Sequence, residues 1–70
     1  MKPSIGRIVI FTGLVSNNSN EHPAIINRVW SDVCVNLTVF PDCDVPICKT
    51  TVILDPNGGD NTWHWPVIVK

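Results

Sequence analysis

The side chains of this sequence from which a cysteine-based catalytic set or a zinc site could be assembled are Cys34, Cys43 and Cys48, His22 and His64, and the neighbouring Asp42 and Asp44. A cysteine nucleophile needs a histidine within reach of its proton and a third group to orient that histidine. Nothing in the order of these residues brings them together, and no local hydrolase signature surrounds any of the thiols. Cys43 and Cys48 are looser than the Cys-x2-Cys pairs of zinc sites, and no second pair or paired histidine completes a four-ligand set. Asp55-Pro56-Asn57-Gly58-Gly59-Asp60 resembles a calcium loop in outline only. It lacks the alternating acidic ligands and the distal bidentate glutamate, and its glycines lack the strand-to-helix setting of a phosphate loop. The reading is of a non-enzyme, with no catalytic residue, no metal and no cofactor.

Binding chemistry is better represented. Trp63-His64-Trp65-Pro66 places two of the three tryptophans two positions apart in a chain without tyrosine. Residues at that spacing share one face of a strand, with His64 on the other. Trp63 and Trp65 then either fill the core of a small barrel or offer a face for stacking a flat ligand or anchoring a partner. Trp30 and Phe40 are possible companions. Arg7 and Arg28 can supply bidentate contacts to a phosphate or carboxylate. The candidate ligand-binding set is therefore Arg7, Arg28, Trp30, Trp63, His64 and Trp65.

Something must hold these residues in place, and there is little chain to do it. With 70 residues the molecule forms one domain, residues 1–70, and a domain of this size buries only about 60% of its unfolded surface. Charged residues make up 16% of the sequence and apolar residues 44%, against about 25% charge in a typical soluble domain. Apolar groups must stay at the surface, and self-association into a homo-oligomer is the expected way to cover them. The net charge is −1 and the five basic residues, Lys2, Arg7, Arg28, Lys49 and Lys70, are scattered. That argues against nucleic acid, which calls for a phosphate-facing cluster. No apolar run approaches membrane-spanning length. Met1-Lys2-Pro3-Ser4 leads into a strand-like run without the apolar core and cleavage site of a signal peptide. A cytosolic setting follows, in which the odd set of cysteines reads as free thiols.

The elements read as strands throughout. Ile5 to Phe11 is β-branched and aromatic without helical period, and Thr12-Gly13 is read as its end. Ser16 to Pro23 is polar and turn-forming, a surface loop. Ala24 to Trp30 and Val33 to Phe40 alternate on either side of Ser31-Asp32, a hairpin. Ile47 to Leu54 is a fourth strand, Asp55 to Asn61 a turn, and Thr62 to Trp65 a fifth strand ended by Pro66. Val67 to Lys70 could add a short edge strand. The fold class is all-β. Five short strands in so small a chain give a strongly bent antiparallel sheet or an SH3-like barrel.

Lys2-Pro3-Ser4-Ile5-Gly6-Arg7-Ile8-Val9, His22-Pro23-Ala24-Ile25-Ile26, Val35-Asn36-Leu37-Thr38-Val39-Phe40 and Trp63-His64-Trp65-Pro66 together resemble a family of short uncharacterised bacteriophage and prophage proteins. The likeness spans nearly the whole chain, with Ile10-Phe11 where that family often carries His-Tyr. The resemblance implies a host-cytoplasm setting and carries no activity with it. By analogy with other very small phage proteins, it suggests stoichiometric binding by a counter-defence protein that sequesters a nucleotide-type small molecule in an oligomer. A module docking on a host or virion protein is the alternative expectation.

Overall fold

The computed structural model describes residues 2–66. Five strands follow in order: β1 (Ile8–Ser16), β2 (Ser19–Val29), β3 (Cys34–Val39), β4 (Ile47–Leu54) and β5 (Thr62–His64). They close a small barrel in which each strand neighbours the next and β5 returns to β1. The described residues contain no helix, hence none long and apolar enough to cross a membrane. The suggested edge strand Val67 to Lys70 lies outside the described residues.

Alternation along each strand decides what faces inward. Val9, Phe11, Ala24, Ile26, Val35, Leu37, Val39, Val52 and Trp63 form the buried core, and their neighbours in sequence face out, apart from Thr12, buried next to Phe11 where the β1 bulge begins. Four of the neighbouring strand pairs are antiparallel, whereas β4 and β5 run parallel, with Ile53 beside Thr62 and Leu54 beside Trp63. A ring with an odd number of strands cannot alternate direction all the way round. One parallel neighbour pair is the geometric consequence of closure.

The β4–β5 register is confined to those two residue pairs, so the first half of β4 has its described partner on the β3 side alone. Lys49, half-buried in that stretch, directs its ammonium to 5.8 Å from the Phe11 ring centroid. An inward charge on an open edge discourages strand addition by another chain.

Two expectations are corrected. Thr12-Gly13 does not end the first strand, and Ser16 to Pro23 is not a loop: β1 runs on to Ser16 and β2 begins at Ser19. Asn17 and Asn18 both take positive φ, 49° and 65°, the requirement of a two-residue hairpin turn that matches strand twist. Between Thr12 and Ser16 three residues of β1 face one of β2, and this bulge, which opens at Gly13 with φ 128°, bends the strand. Pro23 sits inside β2, opposite Ile10. Its carbonyl accepts from the Phe40 N–H at 2.9 Å, so its missing N–H also points toward β3. The reciprocal bond to Phe40 is the one Pro23 cannot make, and the β2–β3 register ends there, at Ala24 and Val39.

Candidate binding site

The suggested binding residues fall into three groups. Trp63 is fully enclosed, and its indole nitrogen donates to the Val33 carbonyl at 3.1 Å. Trp65 is half-buried and packs edge-on against it, ring centroids 5.3 Å apart at 82°. The Arg7 guanidinium lies 5.7 Å from the Trp65 ring centroid. A ligand cannot touch Trp63 without opening the barrel, which corrects its assignment as a contact residue: here its size serves the core. Trp65 and Arg7 cover the end of that stack.

Arg28 and Trp30 form the second group, on the outer surface. The indole of Trp30 is 53% exposed, yet it is held from two directions. Its Nε1 donates to Asn36 Oδ1 at 2.9 Å, and the Arg28 guanidinium stacks 3.9 Å from its ring centroid. A bulge in β2 between Ile26 and Arg28 sets Arg28 opposite Asn36. Both therefore share the outer face, and the guanidinium can reach the indole two residues on. The same Asn36 oxygen accepts the backbone N–H of Thr51 at 2.9 Å, tying the platform to β4. The turn beneath is closed by Trp30 N–H and Ser31 N–H donating to the Cys34 carbonyl, with Ser31 Oγ accepting from the N–H groups of Val33 and Cys34. An exposed aromatic fixed in this way loses little side-chain entropy when a ligand stacks on it.

His64 belongs to the third group, on the far side of β5 from the two tryptophans, as alternation requires. Its Nε2 lies 3.3 Å from Glu21 Oε2, beside a depression of about 310 Å³ lined by Ile10, Glu21, His22, Pro23, His64 and Pro66. His22 is buried and fully engaged. Its Nε2 contacts the Leu14 carbonyl at 2.7 Å and its Nδ1 accepts from the Asp42 N–H at 3.2 Å, which makes the Nε2–H tautomer the one that satisfies both.

The structure thus joins Arg28 to Trp30, and Arg7 to Trp65 and Trp63, and separates both groups from His64. Asn36 and Glu21 were not singled out in the sequence. Asn36 is one polar residue in an alternating strand, and Glu21 stands in a stretch whose polarity reads as loop. The cysteines are unpaired thiols, Cys34 half-buried and Cys43 and Cys48 exposed; Cys43 Sγ lies 3.7 Å from Asn17 Nδ2. Among the described residues no cluster of three or more metal-ligating side chains is present. Compared with known protein families, curated proteins and solved structures, the chain finds no match in any of the three.

Proposed function

We propose that this chain is a non-enzymatic binding protein that captures a nucleotide-type small ligand stoichiometrically, the base stacking on Trp30 and the phosphate meeting Arg28. The observation that carries this reading is the Arg28–Trp30–Asn36 arrangement: a half-exposed indole held by a hydrogen bond and a stacked guanidinium. An aromatic face beside a guanidinium fork suits a base linked to a phosphate. Binding rather than catalysis is further supported by His22, whose two ring nitrogens are committed to backbone groups. The likeness to phage proteins supports action in the host cytoplasm, analogy with other very small phage proteins a counter-defence role, and the low share of charged residues, 16%, an oligomer.

The test is native mass spectrometry of the protein with linear and cyclic nucleotides. Uptake in fixed stoichiometry by the wild type, lost in Trp30→Ala and reduced in Arg28→Gln, is the expected result. No uptake of any nucleotide overturns the reading. The second reading is docking on a host or virion protein. It draws on Val33 and Ile53, exposed at 46% and 47% at the same end of the β2–β3 hairpin and on the adjoining β4. Capture of one defined host protein by wild type but not by Trp30→Ala would favour it.

A further inference from the structure

The outer face of β1, β2 and β3 carries an apolar belt with charges of opposite sign at its two ends. Ile8 lies opposite Ile25, and Ile10 opposite Pro23, while Phe40 donates its N–H to Pro23. Ile8 is 58% and Phe40 38% exposed; Pro23 is exposed, and Ile10 and Ile25 are half-exposed. Along β2 the outward residues read Glu21, Pro23, Ile25 and, past the bulge, Arg28. The acidic end carries a carboxylate whose side chain is 63% exposed, and the basic end an exposed guanidinium.

The spacing of these groups is symmetric. Glu21 precedes Ala24 by three residues of β2. On the other side, Ala24 pairs with Val39 and Arg28 with Asn36, so Arg28 lies three ladder steps beyond Ala24 once the bulge has absorbed one residue. Each charge is about 10 Å from the midpoint along the strand. Pro23 and Ile25 flank that midpoint one residue to either side.

We propose that this face is a self-complementary dimer interface, its two-fold axis passing near Ala24. A second copy laid on it with its β2 antiparallel brings Pro23 of each copy against Ile25 of the other, and Ile8 against Ile10. The same rotation sets Glu21 of each copy beside Arg28 of the other. A two-fold contact demands such a pattern, in which one patch meets itself. A charge at each end of an apolar centre also fixes the register. Face-to-face stacking is the geometry open to sheets whose edges are closed or protected. The footprint runs about 20 Å along β2 and across β1, β2 and β3. This inference rests on the oligomer of the proposed function and names its contact; the Arg28 guanidinium, with five N–H donors, then meets both the carboxylate of the other copy and the ligand phosphate.

The test is sedimentation equilibrium of the full chain without ligand, alongside Ile8→Asp, Glu21→Arg, Arg28→Glu and the double reversal, with circular dichroism to verify each fold. A wild-type dimer is expected, weakened about tenfold or more by Ile8→Asp and by each single reversal, with the double reversal recovering most of the loss. The double reversal does not restore the Glu21–His64 and Arg28–Trp30 contacts within one chain, so its recovery reads the contact between chains. A monomeric wild type, or a dimer indifferent to Ile8→Asp and to both reversals, overturns the proposal. Nucleotide uptake by Ile8→Asp, measured separately, reports on the ligand reading alone.

Discussion

Trp63 of β5 donates its indole N–H to the Val33 carbonyl at 3.1 Å, joining residues thirty positions apart. β5 is three residues long and closes the barrel between two longer strands, so the closure depends on one large side chain. The ring fills the interior with no exposed surface, and the indole nitrogen satisfies a carbonyl in the β2–β3 connection. Leu54 N–H donates to that same carbonyl at 2.7 Å, so three elements meet at Val33.

Removing Trp63 therefore attacks the fold before it affects any ligand. Trp63→Ala is expected to cost about 3–5 kcal/mol, against a total of roughly 3.5–10 kcal/mol for a chain of this length. A large fraction unfolded at room temperature is the expected outcome. Trp63→Phe keeps most of the ring and loses the hydrogen bond, for about 1–3 kcal/mol. Urea titration followed by far-ultraviolet circular dichroism checks both, and a fully folded Trp63→Ala contradicts this account of closure.

Gly13 and Gly6 make a controlled comparison. Both take positive φ, 128° and 90°, where a Cβ is strained. At Gly13 an added Cβ would also run into the backbone nitrogen of Asn61, whereas at Gly6 it meets open space. Gly6→Ala is expected to cost about 1 kcal/mol from backbone strain alone. Gly13→Ala should cost about 1–3 kcal/mol more, the range of overpacking, because the β1 bulge and the 55–61 turn would have to separate. Equal melting temperatures for the two variants would remove the close approach from the argument.

Gly13 also marks the limit of what the sequence discloses. The runs Ala24 to Trp30, Val33 to Phe40 and Ile47 to Leu54 are legible because one face of each meets the core, and burial writes itself as alternation. The hairpin between Ser16 and Pro23 is not, since its outer half meets water on both sides and reads as loop. The structure resolves it through two asparagines at positive φ and a bulge, features that leave no periodic trace. Alternation also separates Trp63 and Trp65 from His64. It does not tell which tryptophan a ligand could reach, because Trp30 becomes a platform only when a bulge turns Arg28 over it and Asn36 arrives from β3. The presence of a parallel neighbour pair, in contrast, follows from five strands once the ring is closed.

His22 supports the end of the barrel where that unexpected hairpin begins. Its ring connects β2 to the Leu14 carbonyl in the bulge and to the Asp42 N–H in the β3–β4 connection. His22→Leu keeps the volume and leaves both backbone groups without this partner, a loss of about 2–4 kcal/mol if neither recovers one. Faster amide hydrogen exchange is expected at Asp42 and in residues 14–22, with the β3–β4 ladder retaining its protection. Uniform loss of protection across all strands would mean that the ring matters only for global stability.

Asn36 couples the exposed platform to a strained backbone. Its Oδ1 accepts from Trp30 Nε1 and from the Thr51 N–H, each at 2.9 Å, and Thr51 holds φ at 54°, a conformation β-branched residues avoid. The strain arises where the β3–β4 register shifts between Val35 and Leu37, and the Asn36 bond helps to offset it. Asn36→Ala is expected to cost about 1–2 kcal/mol and to free the Trp30 ring, lowering the anisotropy of its fluorescence relative to wild type. Thr51→Gly relieves the backbone, raising stability by about 1 kcal/mol, with Trp30 still held. Both variants placed in a chain whose only tryptophans are Trp30 and the core Trp63 would separate the roles. If Trp30 is no more mobile in Asn36→Ala than in Thr51→Gly, Arg28 alone fixes the platform.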